Sequence, residues 1–380
     1  MLSDLKFPKE LNILFLSVLL SAIVVGINLV TFPTILNLNG VDPALIGFAF
    51  TADVLGGILM SFFLSRISSN FGMMRTIEIA AFSYAAIIAS IFFYKNYFLW
   101  LGLAFTMGTL WFAQIIIRQS WINILIDNKR RGIALGIFSM IISFGIAIGP
   151  LIVKLSGAQN YSSFLISSAL AIASIVCLKF IKEKSQITLS SERISLKEFF
   201  HNNPRAFLAR FFLDFQTYLL LTLSVIFGIK IGLSSEAAGL LITAYMASGF
   251  FDVWVGFALK KISPYQLINV GFLGCLWCFI LIIFFHQYYS FLIISYFIFG
   301  LAMACIYVTV FKVINDNYSK ERLVAANATF QLVGSSGSLF GSLFGGIMFN
   351  ALGALGFPIA MVLSCITYLT FLVIYDKKYR

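Results

Sequence analysis

Twelve stretches of 21–27 residues run through this chain with almost no charge inside them, and they constrain the fold more than any other feature. They cover 11–33, 44–65, 74–94, 97–118, 132–154, 160–181, 206–229, 235–257, 264–285, 289–311, 323–349 and 353–375. A helix needs about 20 apolar residues to cross a bilayer. With 60% hydrophobic and 11% charged residues in 380, no single soluble core could hide this surface, whereas lipid-facing surface must be apolar. The first run is too long for a signal-peptide core and lacks a clear cleavage site, so it reads as a first span.

The connections are short except for 182–205, a polar and charged stretch that divides the chain almost in half. It predicts an N-terminal six-helix bundle at 1–181, a cytoplasmic linker at 182–205, and a C-terminal six-helix bundle at 206–380. Lysine and arginine mark the cytoplasmic side of a membrane protein. With the N-terminus placed inside, 23 of the 26 basic residues fall in inner segments, and the outer side keeps only Lys95, Lys154 and Lys230. Both termini are therefore expected in the cytoplasm. The net charge of +11 is topological, which leaves no reason to invoke nucleic acid.

Five cysteines, Cys177, Cys275, Cys278, Cys305 and Cys365, all fall inside apolar runs. Cys275-Leu-Trp-Cys278 has the spacing of a redox or metal pair. With no second pair or histidine nearby it reads as two small buried side chains. No metal and no cofactor is expected. His201 and His286 fall in predicted loops, away from any buried relay.

The two halves resemble each other at a spacing near 192 residues. Gly47-Phe-Ala-Phe-Thr-Ala aligns with Gly239-Leu-Leu-Ile-Thr-Ala, and Gly145 and Gly149 fall on Gly337 and Gly341. Arg131 and Arg322 each precede a glycine-rich run. An even number of spans per half gives parallel repeats, the kind that can rock against each other around a midplane site. In run 11, Gly337, Gly341 and Gly345 recur every fourth residue, as do Gly334, Ser338 and Ser342. Such stripes let helices approach closely.

The loop between runs 2 and 3 reads Leu64-Ser-Arg66-Ile-Ser-Ser-Asn-Phe-Gly72-Met-Met-Arg75. It resembles the signature of that loop in the major facilitator superfamily. Arg66, Gly72 and Arg75 match its basic and glycine positions, while Ser65 stands where the family has an acid. The resemblance implies a cytoplasmic gate in which basic residues pair with helix C-termini or acids, with Glu78 a candidate partner and Arg131 part of the same charged layer. Gly136, Gly145 and Gly149-Pro150 in run 5 resemble the glycine-proline motif of antiporter members. Its closing glycine pair is replaced by Val153 and Lys154. The segments Arg118-Gln-Ser-Trp-Ile-Asn and Asp127-Asn-Lys-Arg-Arg131-Gly are similar to those of some bacterial members. The fold implied is all-α, with twelve transmembrane helices in two pseudo-symmetric bundles.

In that superfamily, spans 1, 4, 7 and 10 line a central cavity. Run 1 places Ser17, Ser21, Asn28 and Thr31 at helical spacing, and run 4 places Trp111, Gln114, Arg118 and Trp121 on one face. Run 7 groups Arg210, Asp214, Thr217 and Tyr218, and run 10 offers Tyr296, Phe299, Met303 and Tyr307. Arg118 reads either as an anion contact or as a side chain snorkelling to the inner headgroups.

Three acids lie inside apolar runs: Asp53, Asp214 and Asp252. A carboxylate at mid-bilayer costs about 3 kcal/mol or more unless paired, solvated or protonated. Alternating exposure of such a group can load and release a proton; for Asp214 the alternative is a static pair with Arg210, one turn away. The expectation is a secondary carrier of a small organic solute, coupled to protons, in the inner (plasma) membrane of a bacterium and acting as a monomer. The partial motif in run 5 tilts the direction to efflux. Nutrient or metabolite uptake and a receptor that binds without translocating are the alternatives. No Walker motif for nucleotide and no convergent nucleophile, histidine dyad or metal cluster points to a pump or an enzyme.

Overall fold

The computed structural model describes residues 8–125, 128–181, 194–259, 261–318 and 323–379. The long helices are α1 (Lys9–Leu38), α2 (Pro43–Phe71), α3 (Met73–Ile91), α4 (Tyr97–Leu125), α5 (Asn128–Ser156) and α6 (Tyr161–Leu178) in the first half. A short α7 (Leu196–Asn202) precedes α8 (Pro204–Lys230), α9 (Ser235–Ala247), α10 (Asp252–Ala258), α11 (Pro264–Phe285), α12 (Tyr289–Asn317), α13 (Leu323–Leu352) and α14 (Gly356–Tyr379). In lipid each backbone polar group must be satisfied within its own segment, which selects helices for apolar runs of this length. Starts are set locally: Ser234 and Ser263 accept from the backbone N–H of Ala237 and Gln266, and Pro204 and Pro264 occupy first turns where no donor is needed. Gly72 separates α2 from α3 in a single residue at φ 79°, a backbone conformation that glycine adopts without strain.

Ten stretches of the described residues are long and apolar enough to span a bilayer. One of them, Thr329–Ile374, contains most of both α13 and α14, joined through a short turn. The predicted run 235–257 is not among the ten, because it is not one helix. It is α9, a 3-10 turn at Ser248–Phe251, and α10. The periodicity gave no sign of that break. It is held by α12: Gly300 lies so close that a Cβ there would strike Ser248 Oγ and come within 2.6 Å of the Tyr245 carbonyl. Large apolar side chains stand outward; Leu155 is 91% and Phe98 80% exposed. Single exposed apolar residues are ordinary, but a surface this rich in them suits lipid, not water.

The chain forms two compact units, Met1–Ile35 with Ala52–Leu189 and Leu36–Thr51 with Ser190–Arg380. Of the predicted linker 182–205, residues 182–193 lie outside the described residues; the remainder includes α7 and the start of α8. In the first unit α3 packs against α4 and α6, around a core that includes Leu14, Val18, Ile117 and Phe138. In the second, α8 lies along α13, and α11 packs on α12 and α14. The second unit includes the start of α2 because of glycine contacts. A Cβ on Gly47 would come within 2.6 Å of the Ser342 carbonyl, one on Gly346 would reach Ala44 at 2.9 Å, and Thr51 and Ser342 share a 2.8 Å hydroxyl–hydroxyl bond.

The 192-residue offset reappears as geometry inside each unit. In the first, Gly145 of α5 faces the Leu19 carbonyl of α1, 2.9 Å from where its Cβ would stand, and Gly149 faces Gly26. In the second, Gly337 of α13 faces the Phe211 carbonyl of α8, and Gly341 that of Phe215. Leu19 and Phe211 are themselves 192 apart, so the crossing is matched at that point, while one turn on the register differs, Gly26 and Phe215 being 189 apart.

Candidate functional site

In the first unit the polar residues of run 4 turn inward. Arg118 is fully buried. Its Nε donates to Ser17 Oγ of α1 at 3.2 Å, Nη1 to Gln114 Oε1 at 3.4 Å, and Nη2 to Ser174 Oγ of α6 at 3.3 Å. A guanidinium held on three sides inside the unit does not snorkel, so that reading of Arg118 is corrected. Its partners are all neutral, and no ion pair involving it occurs among the described residues. Gln114 and Trp121 are buried with it, and Ser17 is the α1 hydroxyl that faces it.

Asn28 is the centre of a second group. Its Nδ2 donates to Tyr84 Oη of α3 at 3.3 Å, and its Oδ1 accepts from Ser167 Oγ of α6 at 2.9 Å. Trp111 packs against Tyr84 with ring centroids 6.5 Å apart. Asp53 lies close enough for its charge to bear on the Tyr84 hydroxyl. It sits where α2 crosses α4, with its backbone against Gly108. Tyr84, Ser167 and Ser174 were not anticipated, because the family resemblance directed attention to spans 1, 4, 7 and 10. The signal available was a hydroxyl-rich stripe in α6.

In the second unit Arg210 and Asp214 form an ion pair, Nη2 to Oδ2 at 2.7 Å, with side chains 7% and 16% exposed. The same Nη2 donates to Gln331 Oε1 of α13 at 2.9 Å. The guanidinium carbon stands 4.4 Å from the Phe330 ring centre and 5.8 Å from that of Tyr307. A cation in an apolar setting gains from such aromatic faces. Thr217, one turn beyond Asp214, lies 3.4 Å from Tyr245 Oη of α9. Tyr218 is half-buried on the same helix. Asp252 opens α10 after the 3-10 turn, and its charge and that of Asp214 both bear on Tyr245. Gln331 and Tyr245 were also missed: an amide and a phenol inside apolar runs give no periodic signal.

Run 10 contributes Tyr296, buried and accepting from Ser224 Oγ at 3.2 Å, and Phe299, whose ring packs on Tyr245 at 5.5 Å. Met303 is buried in the same helix. Arg66, Gly72 and Arg75 are exposed around the α2–α3 junction. Glu78 reaches Lys179, the residue that caps α6, at 3.8 Å. The side chain of Arg131 lies outside the described residues. Pro150 is inside α5, and a Cβ on Gly345 would come within 2.7 Å of the Leu219 side chain of α8.

The chain matches the family model described as Major Facilitator Superfamily over residues 14–276 and 206–378. No curated protein matches it significantly. Among solved structures it is similar to the nucleoside transporter NupG, at 12% identity and TM-score 0.81, covering 98% of this chain and 100% of that one. It is also similar to a bacterial homologue of the human lysosomal transporter Spinster, at 16% identity and TM-score 0.76, covering 96% and 94%. A POT family transporter in complex with 5-aminolevulinic acid is similar at 13% identity and TM-score 0.74, covering 97% and 96%. Identities this low speak for the fold alone.

Proposed function

The chain belongs to the major facilitator superfamily, a family of transporters and not of enzymes, and on that premise we propose that it carries a small organic solute by alternating access, driven by a proton gradient. The observation that carries the reading is the Arg210–Asp214 pair, an acid and a base set inside an apolar spanning helix and almost shut off from solvent. A charge in that position is costly and is retained where it works. Asp53 and Asp252 are the other groups that could take the proton.

The same reading assigns two six-helix bundles, 1–181 and 206–380, joined by a cytoplasmic linker at 182–205. Both termini are cytoplasmic, and the protein is a monomer in the bacterial inner membrane. Arg66, Gly72, Arg75, Glu78 and Arg131 form the cytoplasmic gate. Asn28, Trp111, Gln114, Arg118, Trp121, Arg210, Thr217, Tyr218 and Tyr307 contribute to solute contact. The glycine-proline pattern of α5 favours export, in which proton and solute move in opposite directions; uptake would require the two to move together.

The test begins with a thermal-shift screen of solutes, since a bound ligand stabilises the fold by mass action. A solute so found is then followed in liposomes containing the purified protein, with and without a pH gradient. Flux that rises with the gradient supports the reading, and its direction separates export from uptake. Binding with no flux in either condition would show a receptor instead. Asp214→Asn should abolish accumulation driven by the gradient while sparing downhill exchange. Accumulation retained in that variant would remove Asp214 as the coupling site.

A further inference from the structure

The second unit has a groove lined by none of the polar side chains assigned above. It is a cavity of about 270 Å³ where α8, α13 and α14 meet. Its base is made by rings of α8: Phe215 is buried, and Phe211 and Phe212 are half-buried. Its mouth is on α13 and α14, where Phe340 is 54% and Leu363 41% exposed. The rings are spaced across the helices, Phe211 to Phe340 at 6.0 Å and Phe215 to Phe344 at 5.8 Å.

Nothing in the groove asks for a polar partner. No charged residue lines it, and its two hydroxyls are satisfied within α14. Ser364 Oγ donates to the Met361 carbonyl at 2.7 Å, and Thr367 Oγ1 to that of Leu363 at 2.8 Å. The lining residues all lie within about two turns of the middle of their helices, so the groove falls inside a hydrocarbon core about 30 Å thick. Its surroundings are equally apolar: Ile347 of α13 and Ile366 of α14, beside the mouth in sequence, are exposed. The groove is thus continuous with the lipid-facing exterior, at a depth that water and headgroups do not reach.

Lipid tails are as apolar as these side chains, so packing alone decides what stays there. A chain lying on the convex face of a helix touches protein on one side. In the groove it touches three helices, and dispersion contacts are small singly but add up. Left empty, all three walls would lose them. An apolar cavity of about 150 Å³ is enough to take benzene, so this one admits a short length of hydrocarbon and not a whole lipid.

We propose that this groove is a binding site for the terminal part of an acyl chain of a bilayer phospholipid, held in place while the surrounding lipids exchange. The site is independent of what is transported and of what drives transport.

The experiment uses the full-length protein in vesicles of phosphatidylcholine that carries a photoreactive diazirine on one acyl chain, placed either at the chain end or next to the carbonyl. Mass spectrometry of peptides locates the adducts. The chain-end probe should mark the residues around Phe340 and Leu363 more heavily than Leu165 and Ile172, which are exposed on α6 away from any such groove. The probe next to the carbonyl should not. Thr367→Phe, at an exposed position, puts a ring into the groove and should remove the excess while leaving the α6 adducts unchanged. Equal marking of the groove and of α6 would mean ordinary annular lipid and would overturn the proposal. So would an excess that survives Thr367→Phe, or one given equally by both probes. A dimer in the native mass spectrum of the parent, lost in Thr367→Phe, would put a second copy of the chain on this face and overturn the lipid assignment. If Thr367→Phe does not fold, the comparison of the two probes in the parent decides it alone.

Discussion

Buried polar side chains in this chain differ in how many partners they have, and that decides what each substitution should do. Asn28 satisfies Tyr84 and Ser167 at once, linking α1 to α3 and α6. Truncating it strands a phenol and a hydroxyl in an apolar interior. Asn28→Ala should therefore cost about 1–3 kcal/mol of stability. Tyr84→Phe removes only the acceptor of one bond, and the double variant should be less damaging than the two separate losses added together, by about 0.5 kcal/mol or more. Denaturant unfolding of the four proteins in detergent measures this, and strict additivity would show that the Asn28–Tyr84 bond carries no weight. The residue scale is also where the sequence was least legible. Asn28, Arg118 and Asp214 stand out because their types are rare inside apolar runs. Of their partners only Ser17 lies on a polar stripe visible in the sequence; Ser174, Ser167 and Gln331 are small or neutral, and common enough in spanning helices to attract no notice. Tertiary packing alone tells which serine faces a guanidinium and which faces lipid.

At the scale of helices the legible part is the repeat. The offset that aligns Gly145 with Gly337 also aligns the carbonyls they face, those of Leu19 and Phe211. A sequence repeat of small residues thus marks a similar close crossing in each unit, α1 on α5 and α8 on α13, matched at Gly145 and Gly337. The break in the eighth run was illegible for the converse reason. Gly249 is its one flexible residue and no proline marks it; the turn at Ser248–Phe251 is fixed by Gly300, some fifty residues away, and by the Ser248 hydroxyl bonded to the Tyr245 carbonyl at 2.7 Å. The glycines rank themselves by what they face. Gly337 meets backbone, which cannot yield, whereas Gly345 meets the flexible ends of Leu219 and Leu223. Gly337→Ala should destabilise by about 1–3 kcal/mol, as overpacking does. Gly345→Ala should cost less, and Gly102→Ala, with open space around it, should cost nothing or stabilise slightly. Apparent melting temperatures of the three variants give the order directly. Gly345→Ala proving the worst would mean that the α8–α13 contact is looser than its geometry.

For the whole molecule, the distribution of charge argues for an orientation that helices alone do not define. Basic residues gather in alternate connections, and the three left over, Lys95, Lys154 and Lys230, fall at the opposite ends of spans. Lys230 closes α8 while Lys261 follows α10, so the two loops bracket one interrupted span. In the orientation set by the positive-inside rule Lys230 is external and Lys261 cytoplasmic. Single cysteines at these positions therefore distinguish the two possible orientations of the chain. A membrane-impermeant maleimide applied to intact cells should label Lys230→Cys at once and Lys261→Cys only after permeabilisation. The native thiols leave a low background: Cys275, Cys278 and Cys365 are buried, and Cys177 and Cys305 are half-buried within spanning helices that a charged reagent does not enter. The same assay reads the broken span. If α9, the 3-10 turn and α10 together cross the membrane, the two positions must label from opposite sides. Labelling from one side would make that stretch a re-entrant loop and would place Asp252 at a surface. Reversed labelling would turn the chain over.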